Sequence, residues 1–243
     1  MYKIDRLTTL MERFSLSVKM APLNEATLVV LSGTDGKPSR LRFRTDSSGF
    51  DIPSTSIVFA AAVDWGGKSN PLIAALPDVV ELDLRQDEEA VALIGLMQSE
   101  LAAQRCGGGS VINRLGEVLI VRMLRSQIEL GSTRPGLLAG LSDVRLSRAI
   151  VAVHEQPGRN WCNEDLAQIA GMSRSRFAEL FQATVGEPPV AYLRRWRLIL
   201  ARQDVTRGDR VDHIARRYGY TSPEGFSRAF KRHYGENPIS LRA

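Results

Sequence analysis

Cysteine is scarce in this chain. Cys106 and Cys162 are its two cysteines, too few for a disulfide framework, so a reducing cytoplasm is the expected compartment. Histidine is nearly as rare. His154, His213 and His233 are the full set and all fall in the second half. A histidine-based metal site in the first half is thereby excluded, and no metal or cofactor is expected. His154 and His213 read as helix-surface or helix-end residues. No apolar run approaches the ~20 residues of a membrane span. The opening Met1-Tyr-Lys-Ile-Asp-Arg6 lacks the apolar stretch of a signal peptide. Gly33-Thr-Asp-Gly36-Lys-Pro lacks the spacing of a phosphate loop and reads as a hairpin turn. No constellation for catalysis stands out.

Charge is present but uneven. Residues 1–135 carry 15 Lys/Arg against 16 Asp/Glu, whereas 136–243 carry 17 against 11. A near-neutral half joined to a basic half predicts two domains, the second suited to a polyanion. Lys231 is the only lysine in that second half. Arginine, its other cation, forks better to phosphate and guanine.

Hydrophobic spacing gives the outline. Ile4, Leu7, Leu10, Met11 and Phe14 predict a short opening helix. Apolar stretches at Thr27–Leu31, Leu41–Arg44 and Ser56–Ala60, punctuated by Gly, Pro, Asp and Ser, predict a small β meander or sandwich over 17–65, with Val79–Leu84 a further strand candidate. From Asp87 two helices follow, joined by Gly107-Gly-Gly-Ser110. Their apolar surplus reads as core, with a dimer seam as the alternative. Gly131–Gly136 is the expected boundary. The fold class is α+β: a β-rich domain over 1–133 with a helical hairpin, then an all-α domain over 141–243. Helices are expected near 142–155, 163–170, 173–184, 188–205, 210–218 and 222–234.

The last third carries one pattern twice. Leu166-Ala-Gln-Ile-Ala-Gly171-Met-Ser173 leads into a helix with Phe177, Leu180 and Phe181. Ile214-Ala-Arg-Arg-Tyr-Gly219-Tyr-Thr-Ser222 leads into one with Phe226, Ala229 and Phe230. Each copy is a helix, a glycine turn, a serine cap and a second helix, with Asn163 as the cap of the first. Two such heads on one chain point to duplex DNA. The buried stripe expected of the first is Phe177, Leu180, Phe181 and Thr184. Its outward residues are Arg174, Ser175, Arg176, Ala178, Glu179 and Gln182. Those of the second are Pro223, Glu224, Ser227, Arg228 and Lys231. Arg suits guanine, Glu suits the cytosine amino group, and Ala suits the thymine methyl. Because Arg228 takes the place of Glu179, the heads are expected to read different sequences. A helix over Ala191–Arg202 separates them. Its Arg194, Arg195 and Arg202 either line phosphates or solvate an exposed face.

These residues resemble the AraC/XylS family of bacterial transcription regulators over about 141–240. The resemblance rests on Leu166 to Ser173, Phe181, Val185-Gly-Glu-Pro-Pro-Val-Ala-Tyr192-Leu, Arg197, Ala201 and Ile214-Ala. It continues through Gly219-Tyr-x-Ser222 and Phe226-Ser-Arg-Ala-Phe230-Lys-Arg-x-Tyr-Gly235-x-Asn-Pro238. It implies a two-lobed domain reading two successive major grooves, with Arg174, Ser175, Ala178, Glu179, Glu224, Ser227 and Arg228 as base readers. Leu241 and Asp204 depart from the pattern, which has Tyr and an apolar residue at those places. The first half resembles cupin-like sensor domains through Pro71–Pro77, Arg114–Ile120 and Arg134–Asp143. Implied partners are RNA polymerase, a small-molecule effector and a second copy of the chain. The first half could instead be a dimerisation scaffold alone. A different class, a thiol-dependent DNA-repair alkyl transferase using Cys106 or Cys162, is the alternative; neither cysteine sits in the expected Pro-Cys-His-Arg setting. Redox switching by these thiols is a further reading, against two ordinary thiols.

Overall fold

The computed structural model describes residues 5–46, 48–53, 56–66, 70–131 and 135–241. Ile4, and residues 132–134 of the expected boundary, with Arg134 of the sensor resemblance, lie outside them. The chain divides into two compact units. One is Phe14–Gly131; the other joins the described parts of 1–13 and 132–243. The opening helix α1, Thr8–Arg13, expected with the β-rich half, thus belongs with the C-terminal helices. Leu10 is fully buried there, and α1 packs on the helix over Val144–Glu155.

The first unit is built on one antiparallel sheet. Its strands are β1 Ser17–Met20, β2 Leu28–Ser32, β3 Pro38–Arg44, β4 Ile57–Asp64 and β5 Val79–Asp83, ordered β1-β4-β2-β3-β5. This is neither the meander nor the sandwich that the spacing suggested. Strand β4 is eight residues long and pairs on both sides, so that Ala61 faces both Met20 and Leu28. It therefore enters between β1 and β2, where both its edges are satisfied. Alternation along β3 buries Leu41 and Phe43 and turns Arg40, Arg42 and Arg44 to the other face, where Arg42 pairs with Glu81 at 2.7 Å. A short helix α2, Pro71–Ala75, is capped by the buried Asn70. Helices α3, Glu88–Ala103, and α4, Gly108–Leu130, form the expected hairpin. Residues 104–107 make the connection, so Gly108, Gly109 and Ser110 are the first turn of α4 rather than the loop. Asn113 on α4 accepts a hydrogen bond from the Val18 amide at 2.6 Å, which fastens the helix to the edge strand.

The second unit is helical. It comprises α5 Leu137–Ser142, α6 Val144–Glu155, α7 Asn163–Ala170, α8 Arg174–Val185, α9 Pro189–Thr206, α10 Val211–Arg217 and α11 Pro223–Tyr234, closed by a 3-10 turn at Pro238–Leu241. Helix α5 was not anticipated. Its Leu137, Leu138 and Leu141 are buried, so core begins right after the glycine break. The overall class is α+β. Among the described residues no helix is long and apolar enough to cross a membrane, and no group of three or more His, Cys, Asp or Glu could hold a metal ion.

Candidate nucleic-acid interface

Helices α7 and α8 form the first head, and α10 and α11 the second. Each pair is joined at a glycine with positive φ, 68° at Gly171 and 71° at Gly219. Cys162, not Asn163, caps α7. Its sulfur accepts from the Asp165 amide at 3.5 Å, and the Asp165 carboxylate accepts from the Cys162 amide at 3.1 Å. A thiol is a weak acceptor, so the motif is not legible from the usual Ser, Thr, Asp and Asn preference. Ser173 stands at the cap of α8 without a side-chain hydrogen bond, while Ser222 caps α11 by accepting from the Gly225 amide at 3.0 Å.

The buried stripe of α8 is Phe177, Phe181 and Val185; Leu180 and Thr184 are only half-buried. Spacing of four residues keeps these three on one face. Phe181 meets Tyr192 of α9 edge-on at 5.6 Å. His154 of α6, expected on a surface, lies 1% exposed beneath Tyr192 and Trp196. Its Nε2 lies 2.5 Å from the Tyr192 hydroxyl. Here an aromatic face and a phenol satisfy the ring, so the residue packs as core.

That burial has a pH consequence. Desolvation, helped by the Arg195 charge, holds His154 down at about 3, against an ordinary value of 6.5. The unfolded chain therefore binds a proton that the folded chain refuses. Its contribution is complete above pH 6.5 and is lost as pH falls toward 3, by about 1.4 kcal/mol per unit. Between pH 6.5 and 5 the free energy of unfolding should fall by about 2 kcal/mol. Denaturant titrations across that range check it. The His154→Gln variant should lose much less, and an equal fall in both would refute the assignment.

On the outward side, Arg174, Ser175, Arg176, Glu179 and Gln182 are exposed and Ala178 is half-buried. Arg174 pairs with Glu164 of α7 at 2.9 Å, and Arg176 lies 3.9 Å from Glu179. In the second head Glu224, Arg228 and Lys231 are exposed, while Pro223 and Ser227 are half-buried. Ala229, expected inward, is also half-buried; Phe226 and Phe230 carry the buried face. Neither Arg228 nor Lys231 has an acid within ion-pair distance among the described residues. Among the described residues Arg174 and Arg176 thus stand in ion pairs, whereas Arg228 and Lys231 do not.

The spacer between the heads is α9, 18 residues and therefore about 27 Å long. Its arginines divide. Arg195 pairs with Glu187 at 2.6 Å and lies over the Tyr192 ring, and Arg202 lies over Tyr234. Arg194 is exposed. Arg197 points the other way. Its Nε donates to the Pro157 carbonyl at 2.6 Å and its Nη2 to that of Arg159 at 2.8 Å. The loop it holds, residues 156–162, presses on the turn of the second head. A Cβ at Gly158 would come 2.2 Å from the Arg217 carbonyl oxygen, and one at Gly219 would come 2.7 Å from that of Gly158. Two backbones touch with no room for a side chain, and this contact ties the second head to the scaffold of the first.

Asp204, the departure on α9, completes the tie. It is 5% exposed and accepts from the Arg217 guanidinium and from the Tyr218 hydroxyl, each at 2.6 Å. Arg217 also bonds Asp209 at 2.7 Å. Hydrogen bonding to Asp204 and then Asp209 pushes Arg217 above its ordinary range. An apolar residue at 204 would strand the buried Tyr218 hydroxyl and leave Arg217 with Asp209 alone. The contact between α9 and the end of α10 is thus a polar one.

Two helix-turn-helix units fixed on a common spacer define a class of protein that presents paired helices to duplex DNA. Residues 166–243 match the family model described as Helix-turn-helix domain, and 13–129 match that described as Cupin. The HTH-type transcriptional regulator AlkR of Acinetobacter baylyi is 34% identical over 178 residues, covering 71% of this chain and 58% of that protein. A putative AraC-like transcription regulator of Streptomyces antibioticus is 37% identical over 176 residues, covering 70% and 58%. Among solved structures, an AraC-type DNA-binding-domain protein from Chromobacterium violaceum is 25% identical with a TM-score of 0.40, covering 42% of this chain and 91% of that one. By these matches the chain is similar to AraC-like regulators, with a cupin-matching segment at 13–129 ahead of the paired heads. It spans 58% of the length of the two curated relatives.

Proposed function

We propose that this chain is a sequence-specific transcription regulator whose two heads read successive major grooves of one duplex. The supporting observation is the pair of exposed helix faces, α8 and α11, each seated by a phenylalanine stripe and locked to one spacer. Arg174, Ser175, Arg176, Ala178 and Glu179 contact the first groove; Pro223, Glu224, Ser227, Arg228 and Lys231 contact the second. Phosphate contacts supply affinity and base edges supply choice. The cupin domain modulates binding through a small-molecule effector, RNA polymerase is the downstream partner, and a second copy assembles through the first unit. The compartment is the cytoplasm, and the protein is no enzyme. Nothing among the relatives supports alkyl transfer through Cys106 or Cys162.

Arg228→Ala tests the reading. With bound sequences selected from random duplexes, the variant should lose about 1–3 kcal/mol on the preferred site and relax preference at one base pair. Unchanged affinity and preference would remove Arg228 from the base-reading set.

A further inference from the structure

A crevice of about 300 Å³ lies between α9 and α11, beside the reading face of the second head. Arg194, Arg195, Arg232 and His233 line it together with Glu187. The one acid is already taken, because Glu187 bonds Arg195 through 2.6 and 2.8 Å contacts. Arg194 and Arg232 are both exposed, and neither has an acid within ion-pair distance among the described residues. Two arginines without an ion-pair partner therefore line one small opening, beside a third whose charge Glu187 already balances. Partial desolvation and the Arg195 charge hold His233 below its ordinary value.

Position selects the anion. Arg232 stands one helical turn beyond Arg228 on α11, so both project from the same side of that helix. A recognition helix enters the major groove and leaves past its wall, which is made of phosphates. Arg194 sits on the spacer that runs from one head to the other. The opening, about 300 Å³, has room for a phosphate group. An acidic protein segment would match the charge, but it would have to compete with a duplex already drawn past the crevice by Arg228.

We propose that this crevice is a phosphodiester site, in which Arg194 and Arg232 together hold one backbone phosphate of the strand that runs between the two grooves. The proposal rests on the DNA-reading function above and adds the contact that sets the phase of the heads on the duplex. Such a contact is blind to sequence.

The test uses the full chain and the duplex fragment selected by the wild type. Binding is titrated over a range of salt for wild type, Arg194→Ala, Arg232→Ala, the double alanine variant and the double lysine variant. Each single alanine variant should bind about tenfold more weakly on selected and unselected duplexes alike, as for a lost charged hydrogen bond. The double alanine variant should lower the slope of log affinity against log salt by about one, the signature of a single phosphate. The double lysine variant should keep most of the slope, which separates charge from packing. Wild-type affinity and slope in the double alanine variant, on a duplex the wild type still selects, would overturn the site alone. Unchanged DNA binding with lost transcription in a purified polymerase assay would give the crevice to an acidic protein and overturn it too. If the wild type selects no sequence and its binding ignores salt, the DNA-reading function itself fails and takes the site with it.

Discussion

The Gly158→Ala variant should be destabilised by about 3–5 kcal/mol and lose specific DNA binding altogether. The added methyl would sit 2.2 Å from the Arg217 carbonyl oxygen. That atom is backbone at the end of α10 and cannot swing aside as a side chain would. Either the loop at 156–162 withdraws, breaking the Arg197 bonds to Pro157 and Arg159, or α10 shifts and carries α11 with it. Both outcomes alter the distance between the heads. Gly219→Ala approaches the same contact from the other side, with a positive φ of 71° as an added cost. Thermal unfolding measures the first effect and titration of a selected duplex the second. Wild-type behaviour in both would mean that the loop and the turn do not couple the heads.

Asp204→Ala should cost about 3 kcal/mol. Its loss strands the hydroxyl of Tyr218, which is 1% exposed. Arg217 is half-exposed and keeps Asp209, so it is not stranded. The penalty should therefore sit mainly with the tyrosine. Combining Asp204→Ala with Tyr218→Phe should recover about 1–2 kcal/mol, because a phenyl ring needs no acceptor. Denaturant midpoints of the four proteins of this cycle give the coupling directly. Strict additivity of the two changes would show that the buried bond contributes nothing.

The two heads were legible because helix-turn-helix chemistry is local. Gly171, Gly219, Ser222 and the Phe stripes at 177/181 and 226/230 each follow from a short-range rule, and the elements lie within a residue or two of expectation. Long-range partners were not legible. His154 looked like a surface residue because its partners, Tyr192 and Trp196, lie some forty residues away in sequence. Asp204 looked like a flaw because Arg217 and Tyr218 answer it only once α10 folds back. Cys162 hid a cap behind a side chain that seldom serves as one. Strand order failed for the same reason. Nothing in the alternation of β4 says that it pairs with β1 and β2 at once. Helix α5 was missed because four apolar residues close behind a glycine break show no period.

The most direct test of the account is footprinting of the full chain on its selected duplex, with Arg174→Ala and Arg228→Ala beside the wild type. The account predicts two protected major-groove patches about one helical turn, roughly 34 Å, apart. It also predicts that each variant weakens only its own patch. A single patch, or two patches that both variants weaken alike, would contradict the claim that the chain reads DNA with two separate heads.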